Sequence, residues 1–217
     1  MTATATTIPA PTTRLPDELP DHAHGTRNYV SDYLSRLQTL LARLDSADVT
    51  RVVDALFACY EQGGRLVLCG NGGSATTASH LVCDFQKNVL LEGGRPWEVV
   101  ALTDSPSLIT AWGNDTEYAN VFAGQARTWL RNENDVLIAI SASGNSPNVL
   151  RAIEVANEVG AVSVGWSGYG GGKLADLAQV NVVVHARNMQ LVEDVHMAVG
   201  HVVYSALRDR IKGLLSA

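Results

Sequence analysis

Apolar and polar residues are distributed along this chain in a pattern that predicts strands and helices in turn. Five short apolar runs have the length of buried parallel strands, and they cover residues 65–69, 98–102, 136–140, 161–166 and 180–184. Helical periodicity fills most of the segments between them. Because parallel strands are joined by crossover helices, the pattern predicts an α/β protein with a doubly wound, five-stranded parallel sheet.

Long helices are predicted before and after the strands. In residues 27–44, apolar side chains recur every three or four positions, which indicates one helix with a broad apolar stripe suited to a bundle or a subunit contact. Ser46 is the predicted N-cap of a second helix that ends at Gln62, before two glycines. A last helix is predicted over residues 190–215. Other helices are predicted over residues 75–87, 105–113, 117–130 and 147–159.

Length and composition indicate the domain organisation. The chain has 217 residues, of which 46% are hydrophobic, and this is enough for one substantial core. Residues 1–25 are rich in Thr, Pro and Ala and offer little to bury, so we expect a disordered or loosely ordered tail. Residues 26–217 are therefore predicted to form a single domain.

Charge and hydropathy restrict the partners and the location. The formal net charge is -6 at pH 7 and the sequence pI is about 5.4, which argues against nucleic acid or an anionic membrane as a partner. No apolar run is long enough to span a bilayer, and the start of the chain lacks the apolar centre of a secretory signal. We therefore expect a cytoplasmic protein that holds any anionic ligand through local groups.

Two loops of small residues carry the first functional signal. GNGGS, residues 70–74, follows the first predicted strand, and SASGNS, residues 141–146, follows the third. Unpaired N–H groups at a helix N-terminus favour an anion, and Ser141, Ser143 and Ser146 add hydroxyl donors in the second loop. Such loops also occur merely to let a strand and a helix pack. Because two are present, and neither has the lysine of a P-loop, we favour a monophosphate site.

Acid–base side chains follow the first loop. His80 and Asp84 are four residues apart, so they share one face of the predicted helix. This pair favours proton transfer beside the anion site. Two structural alternatives remain, namely His80 as a core histidine with a satisfied N–H and Asp84 as the ion-pair partner of Lys87.

A set of motifs follows these loops in a fixed order along the chain. After GNGGS, His80 and the acid at position 84 come GND at residues 113–115, SASGNS at 141–146, SGYGGGK at 167–173 and VEDVH at 192–196. Together they resemble the sugar isomerase (SIS) family and, within it, the phosphoheptose isomerases. The resemblance extends from about residue 28 to the C-terminus. It implies a flavodoxin-like sheet that binds a sugar phosphate, and a homotetramer with active sites at subunit interfaces formed with the long first and last helices.

The resemblance also implies roles for individual residues. Asp84 and His201 correspond to the catalytic acid and base, and zinc, which many members bind, would be held by His80, Asp84, Glu193 and His201. The implied substrate contacts are Asn71, Gly72, Gly73, Ser74, Asn114, Asp115, Ser141, Ser143, Ser146 and Glu193. His196 is one histidine more than the implied zinc ligands require, and we interpret it as a packing residue or a neighbour of the site.

Four positions depart from the pattern of the family. Asp84 stands where Glu is usual, and Glu193 stands where Gln is usual. Ala142 replaces the middle Thr of the phosphate loop, and Thr77 stands where phosphoheptose isomerases usually have Asp. These departures leave the implied phosphate site intact and bear on which sugar is bound.

Two functions fit these residues. The first is an aldose–ketose isomerase that converts sedoheptulose 7-phosphate to D-glycero-D-heptose 7-phosphate through an enediol, with Asp84 and His201 in acid–base catalysis. A carboxylate and an imidazole can move both the carbon-bound and the oxygen-bound proton that this reaction requires. The second is a non-catalytic SIS module that binds a sugar phosphate or a protein partner, as the family's replication-initiation regulators do. Those regulators lack the histidine at the position of His201, so we favour the enzyme.

Overall fold

A parallel sheet of five strands forms the centre of the computed structural model, which describes residues 25–216. The strands are β1 (Leu66–Gly70), β2 (Val99–Ala101), β3 (Val136–Ser141), β4 (Val162–Ser167) and β5 (Val180–Val183). They lie in the order β2-β1-β3-β4-β5, and each neighbouring pair is parallel. The predicted fold class is confirmed. The predicted tail lies outside the described residues, apart from Gly25.

Helices cover both faces of this sheet. In the described part of the chain they are α1 (Gly25–Ala42), α2 (Ser46–Gln62), α3 (Gly73–Cys83), α4 (Pro106–Asp115), α5 (Ala123–Trp129), α6 (Pro147–Glu158), α7 (Gly172–Leu177) and α8 (Met189–Leu215). Among residues 25–216, no helix is both long enough and apolar enough to cross a membrane.

Each face of the sheet has its own core, because side chains alternate along a strand. Leu66 and Leu68 of β1 belong to a core that includes buried residues of α2, α3 and α8. Val67 and Cys69, on the other face, belong to a core that includes α5, α6 and α7. All residues of β1 and β3 are buried, as expected for parallel strands covered on both sides.

The first helix uses much of its apolar stripe within the chain. The stripe residues that belong to or pack against the first core are Tyr33, Leu37, Leu40 and Leu44. The exposed apolar side chains of the same helix are Val30, Leu34 and Leu41. Since the sequence pattern does not separate these two groups, the predicted stripe combined an internal packing face with an exposed one.

Two differences from the predicted helices have identifiable causes. Asp45 caps α2 in place of Ser46, because its Oδ1 accepts a hydrogen bond from the Ala47 N–H at 2.8 Å. The helix predicted over residues 117–130 is interrupted, with a 3₁₀ turn at Tyr118–Asn120 before α5 begins. Arg151 of α6 fixes this turn by pairing with Glu117 and donating to Asn120 Oδ1 at 2.7 Å. This contact is distant in sequence, so local periodicity does not reveal it.

A change of helix type and a change of chain direction mark the site. Helix α3 continues as a π-helical turn over Asp84–Asn88, a conformation that is frequent at functional sites. Strands β1 and β3 are neighbours, and the chain proceeds from them to opposite sides of the sheet. In open α/β sheets, ligands bind beyond the carboxyl ends of strands at such a switch point. Both small-residue loops follow these two strands.

Candidate active site

The loop after β1 leaves the start of α3 without a side-chain cap. Gly72 is the N-cap residue, with φ 56° and ψ -121°, and no side chain satisfies the first N–H groups of the helix. A Cβ at Gly72 would meet no atom within 4 Å, so the backbone conformation, rather than crowding, requires glycine here. The uncapped N–H groups and the helix dipole together favour an anion at this point.

The loop after β3 brings three hydroxyl groups together. Ser141 Oγ lies 3.1 Å from Ser146 Oγ and 3.5 Å from Ser143 Oγ. Ser146 is the N-cap residue of α6, but its hydroxyl makes no capping bond to that helix. Gly144 has φ 65°, and a Cβ there would lie 1.9 Å from the carbonyl oxygen of Gly171, so the loop packs tightly on its neighbour. The hydroxyl cluster has the donors that a phosphate needs, and its role in binding stays a prediction.

A second cluster joins α3 to α8. His80 Nε2 lies 2.9 Å from His201 Nε2. Asp84 Oδ2 lies 3.4 Å from His80 Nε2 and 3.9 Å from His201 Nε2. Gly200 permits this approach, because a Cβ at that position would lie 2.7 Å from Leu81 Cδ2. The π-helical turn begins at Asp84, whose Oδ1 accepts from Asn88 Nδ2 at 3.2 Å.

The donors of this cluster fit a divalent metal ion. One ring nitrogen of each histidine and one oxygen of Asp84 lie within 4.8 Å of one another. The side chain of Asp84 is only 13% exposed, and its Oδ2 is buried without a hydrogen-bond partner. A buried oxygen of this kind is costly unless a cation or a proton donor satisfies it. Two imidazoles and a carboxylate form a ligand set that zinc accepts.

Glu193 is not part of this cluster and instead lies against the start of α3. Its carboxylate rests against Gly73, where a Cβ would be 2.3 Å from Glu193 Oε2. The positive end of α3 favours a carboxylate at this position. Among the described residues, the group of close ligand atoms consists of His80, Asp84 and His201, so three of the four predicted metal ligands lie together. The four-residue set stays a prediction.

The remaining predicted contacts lie around the switch point or on α4. Asn71 pairs with Asn148 through two hydrogen bonds of 2.9 Å, and Ser74 is buried. Asn114 and Asp115, predicted to lie between helices, form the exposed last turn of α4, where the Asn114 amide donates to Asp115 Oδ1 at 2.9 Å. The sequence analysis did not single out Asn148. The available signal was a polar amide two residues after the SASGNS loop, at the predicted start of the following helix.

His196 differs from the other histidine of α8. It is 1% exposed, and its Nε2 donates to the carbonyl oxygen of Ser167 at 3.2 Å. Burial lowers the pKa of His196 to about 4, and the hydrogen bond to Ser167 is a smaller effect in the other direction. The imidazole is therefore neutral near pH 7 and joins α8 to the end of β4. This arrangement agrees with its interpretation as a packing residue.

Comparisons with known proteins found a family match, similar sequences and similar structures. Residues 28–168 match the family described as the SIS domain. A phosphoheptose isomerase from Desulfovibrio desulfuricans is 41% identical over 147 residues, which are 67% of this chain and 69% of that protein. One from Burkholderia pseudomallei is 35% identical over 191 residues, covering 85% of this chain and 95% of the relative. Among solved structures, the phosphoheptose isomerase of Neisseria gonorrhoeae has a TM-score of 0.76 at 27% identity, covering 83% of this chain and 95% of its own.

Proposed function

We infer that this chain, which belongs to the SIS domain family, is a phosphoheptose isomerase that interconverts sedoheptulose 7-phosphate and D-glycero-D-heptose 7-phosphate. The observation that carries this function is the His80–Asp84–His201 cluster, formed by α3, the π-helical turn that continues it, and α8. Relatives at 35% and 41% identity are phosphoheptose isomerases. A binding module without catalysis has no need for this acid–base cluster.

The isomerisation moves two protons, and the cluster has groups for both. One proton leaves C1 of the ketose, giving a cis-enediol, and a proton is returned to C2, while the oxygen at C2 gains a proton and that at C1 loses one. We assign these transfers to the Asp84 carboxylate and the His201 imidazole. His80 is within hydrogen-bond distance of His201, which supports a role in fixing the tautomer of that ring. Positioned acid–base groups each contribute roughly 10²–10⁴-fold to a rate.

We also propose that the cluster binds zinc. His80, Asp84 and His201 would hold the ion, and Glu193 is the fourth ligand that the family resemblance implies. A bound zinc ion supplies a Lewis acid that polarises the sugar carbonyl. The fit rests on the donor types and on the buried Oδ2 of Asp84, which lacks a hydrogen-bond partner. The phosphate would lie at the hydroxyl cluster of residues 141–146, and Asn114 and Asp115 remain proposed substrate contacts.

The proposed assembly is a homotetramer with active sites at subunit interfaces. Exposed apolar side chains of α1 and α8 support it, because a stable assembly hides such surface. A groove of about 330 Å³ lies beside them, and its lining includes Leu41, Leu44, Val49, Val53, Val199 and Val202. Val202 is 56% exposed and follows His201 directly, so this surface borders the acid–base cluster. The cytoplasmic location stays a prediction.

A coupled assay of the purified protein tests the function. A panel of C5 to C7 ketose phosphates is supplied with and without added zinc, and turnover is expected to be greatest on sedoheptulose 7-phosphate. Asp84→Asn and His201→Ala are each expected to lower kcat by at least about 10²-fold while the fold is retained, because both groups transfer protons. Asp209→Asn, which changes an exposed carboxylate two turns further along α8, is the control and should keep full activity.

Elemental analysis of the same preparation tests the metal. One zinc ion per chain is expected, and His80→Ala should lower that content. If Asp84→Asn isomerises its best sugar phosphate as fast as the unchanged protein, the acid–base assignment is wrong. A protein that binds sugar phosphates without converting any of them would instead be the non-catalytic SIS module.

A further inference from the structure

A reciprocal pair of amides joins the two loops at the switch point. Asn71, directly after β1, donates from Nδ2 to Asn148 Oδ1 at 2.9 Å, and Asn148 Nδ2 donates to Asn71 Oδ1 at 2.9 Å. The two residues are 77 positions apart, and Asn148 lies in the first turn of α6, just beyond the hydroxyl loop. Asn148 is 2% exposed and Asn71 is half-buried, so the pair is partly shielded from solvent.

Two further hydrogen bonds complete the environment of the pair. The hydroxyl of Tyr118 donates to Asn71 Oδ1 at 3.2 Å, and the N–H of Val149 donates to Asn148 Oδ1 at 3.0 Å. A carbonyl oxygen accepts two hydrogen bonds through its two lone pairs, and an amide nitrogen donates two. Asn71 Oδ1 is therefore fully used by Asn148 and Tyr118, and one of its two amide N–H groups is used by Asn148.

This count determines what the Asn71 side chain can offer a ligand. It retains one N–H donor and has no acceptor left. Rotating the Asn71 amide alone by 180° would place its NH₂ group against the NH₂ of Asn148, and rotating both amides would place the NH₂ of Asn148 against the Val149 N–H. The side chain is therefore held in the orientation in which it can only donate.

We propose that Asn148 and Tyr118 are positioning residues that hold Asn71 as a hydrogen-bond donor to an oxygen of the sugar phosphate. The inference rests on the proposed function, which makes Asn71 a substrate contact. Tyr118 lies in the 3₁₀ turn three residues beyond Asp115, and Asn148 lies two residues beyond Ser146. The Asn71 amide thus links the loop before α3 to the region of the hydroxyl loop and to the turn after α4. The proposed substrate contacts in these three places are therefore held at a fixed spacing.

A double-mutant cycle with kcat/KM as the readout tests this proposal. Asn71→Ala and Asn148→Ala are each expected to lower kcat/KM for sedoheptulose 7-phosphate by about ten- to a hundredfold, because misplaced contacts are that costly. In the Asn71→Ala background, Asn148→Ala is expected to have no further effect, since it acts only through Asn71. Asn148→Asp keeps the size of the side chain, but its carboxylate cannot donate to Asn71, so it should resemble Asn148→Ala.

Control variants separate positioning from loss of stability. Asn157→Ala removes another hydrogen-bonded amide of α6, at its far end, and should change stability in urea but not kcat/KM. Tyr118→Phe removes only the hydroxyl of an exposed side chain, so it can be measured even if the Asn148 variants fail to fold. It is expected to lower kcat/KM about fivefold. The proposal would be overturned if Asn148→Ala lowers kcat/KM by the same factor in the unchanged protein and in the Asn71→Ala background. Unchanged kcat/KM in both the Asn148 and Tyr118 variants would also overturn it.

Failure of the proposed function would appear separately, as an absence of turnover by the unchanged protein. The same cycle is then measured by calorimetric binding of sedoheptulose 7-phosphate, and the same non-additivity is expected. Absence of binding by the unchanged protein would overturn this inference as well.

Discussion

Two histidines on one helix show how strongly the environment of a residue determines its chemistry. His196 and His201 are five positions apart on α8, yet the first is 1% exposed and the side chain of the second is 51% exposed. His196 donates to a backbone carbonyl, whereas His201 faces the ring nitrogen of His80. His201 is therefore accessible for proton transfer, and His196 serves the contact between α8 and β4.

His196 should make the stability of the protein dependent on pH. Its pKa is about 4 in the folded chain and about 6.5 in an unfolded one, so between these values the unfolded chain binds more protons. The contribution of His196 to the free energy of unfolding is fully present above pH 6.5 and is lost as the pH drops towards 4. The loss is on the order of 3 kcal/mol. Urea unfolding at pH 7.0 and pH 4.5 measures the loss.

Replacing the imidazole isolates this contribution. His196→Gln keeps an N–H donor near the Ser167 carbonyl but does not titrate, so it should lose less stability between the two pH values. His185→Gln removes an exposed imidazole beside the end of β5 and should behave as the unchanged protein does. If His196→Gln and the unchanged protein lose the same stability between pH 7.0 and pH 4.5, His196 is not the source of the pH dependence.

Only part of the acid–base cluster could be predicted from residue spacing. His80 lies on α3 and Asp84 begins the π-helical turn that continues it, so a spacing of four positions along a helix brings them to one face. His201 is 121 positions from His80, and their contact depends on the close approach of α8 at Gly200. Family resemblance supplied this pairing where spacing could not. The amide pair of Asn71 and Asn148 was missed for the same reason, since no local pattern reports a contact across 77 positions.

At the scale of elements, the hydroxyl loop has the clearest design for binding an anion. It connects a fully buried strand to the N-terminus of α6, and its serine at the N-cap does not satisfy the helix. Two further hydroxyls lie within 3.5 Å of one another in the same loop. The donors are therefore held by rigid elements on both sides, and little reorganisation is needed when a phosphate binds.

Removing two of these hydroxyls should weaken binding of the substrate. Ser141→Ala together with Ser146→Ala is expected to cost about 3 kcal/mol, or roughly a hundredfold in Kd, because hydrogen bonds to a charged group contribute about 1.5–3 kcal/mol each. Titration calorimetry with sedoheptulose 7-phosphate measures the change. Ser205→Ala, at an exposed position of α8, is the control. Unchanged affinity of the double variant would place the phosphate elsewhere.

Elements were predictable where periodicity determines them and less so where a distant contact does. The five strands were recognisable because buried parallel strands are continuously apolar. The break before α5 was not, because it is stabilised by Arg151 of α6. The apolar stripe of α1 indicated a helix correctly, but burial of Leu40 beside exposure of Leu41 depends on where α8 and α2 lie.

At the scale of the whole molecule, the exposed apolar surface of α1 and α8 predicts an assembly. Light scattering at micromolar concentration is expected to give a mass near four times the 23.1 kDa of the chain. Leu34→Asp and Val202→Asp should lower that mass, because each introduces a charge into a surface that the assembly would bury. Leu90→Asp changes a leucine of similar exposure outside both helices and should leave the mass unchanged. A mass near 23 kDa for the unchanged protein would refute the tetramer.

The lengths of the strands limit how copies of this chain can associate. The edge strands β2 and β5 have three and four residues, whereas the inner strands β3 and β4 have six each. An exposed strand edge is a template for pairing between chains, and a short edge offers few backbone groups for it. Joining of sheets into continuous ribbons is therefore disfavoured, and so is the edge-to-edge pairing that initiates fibrils.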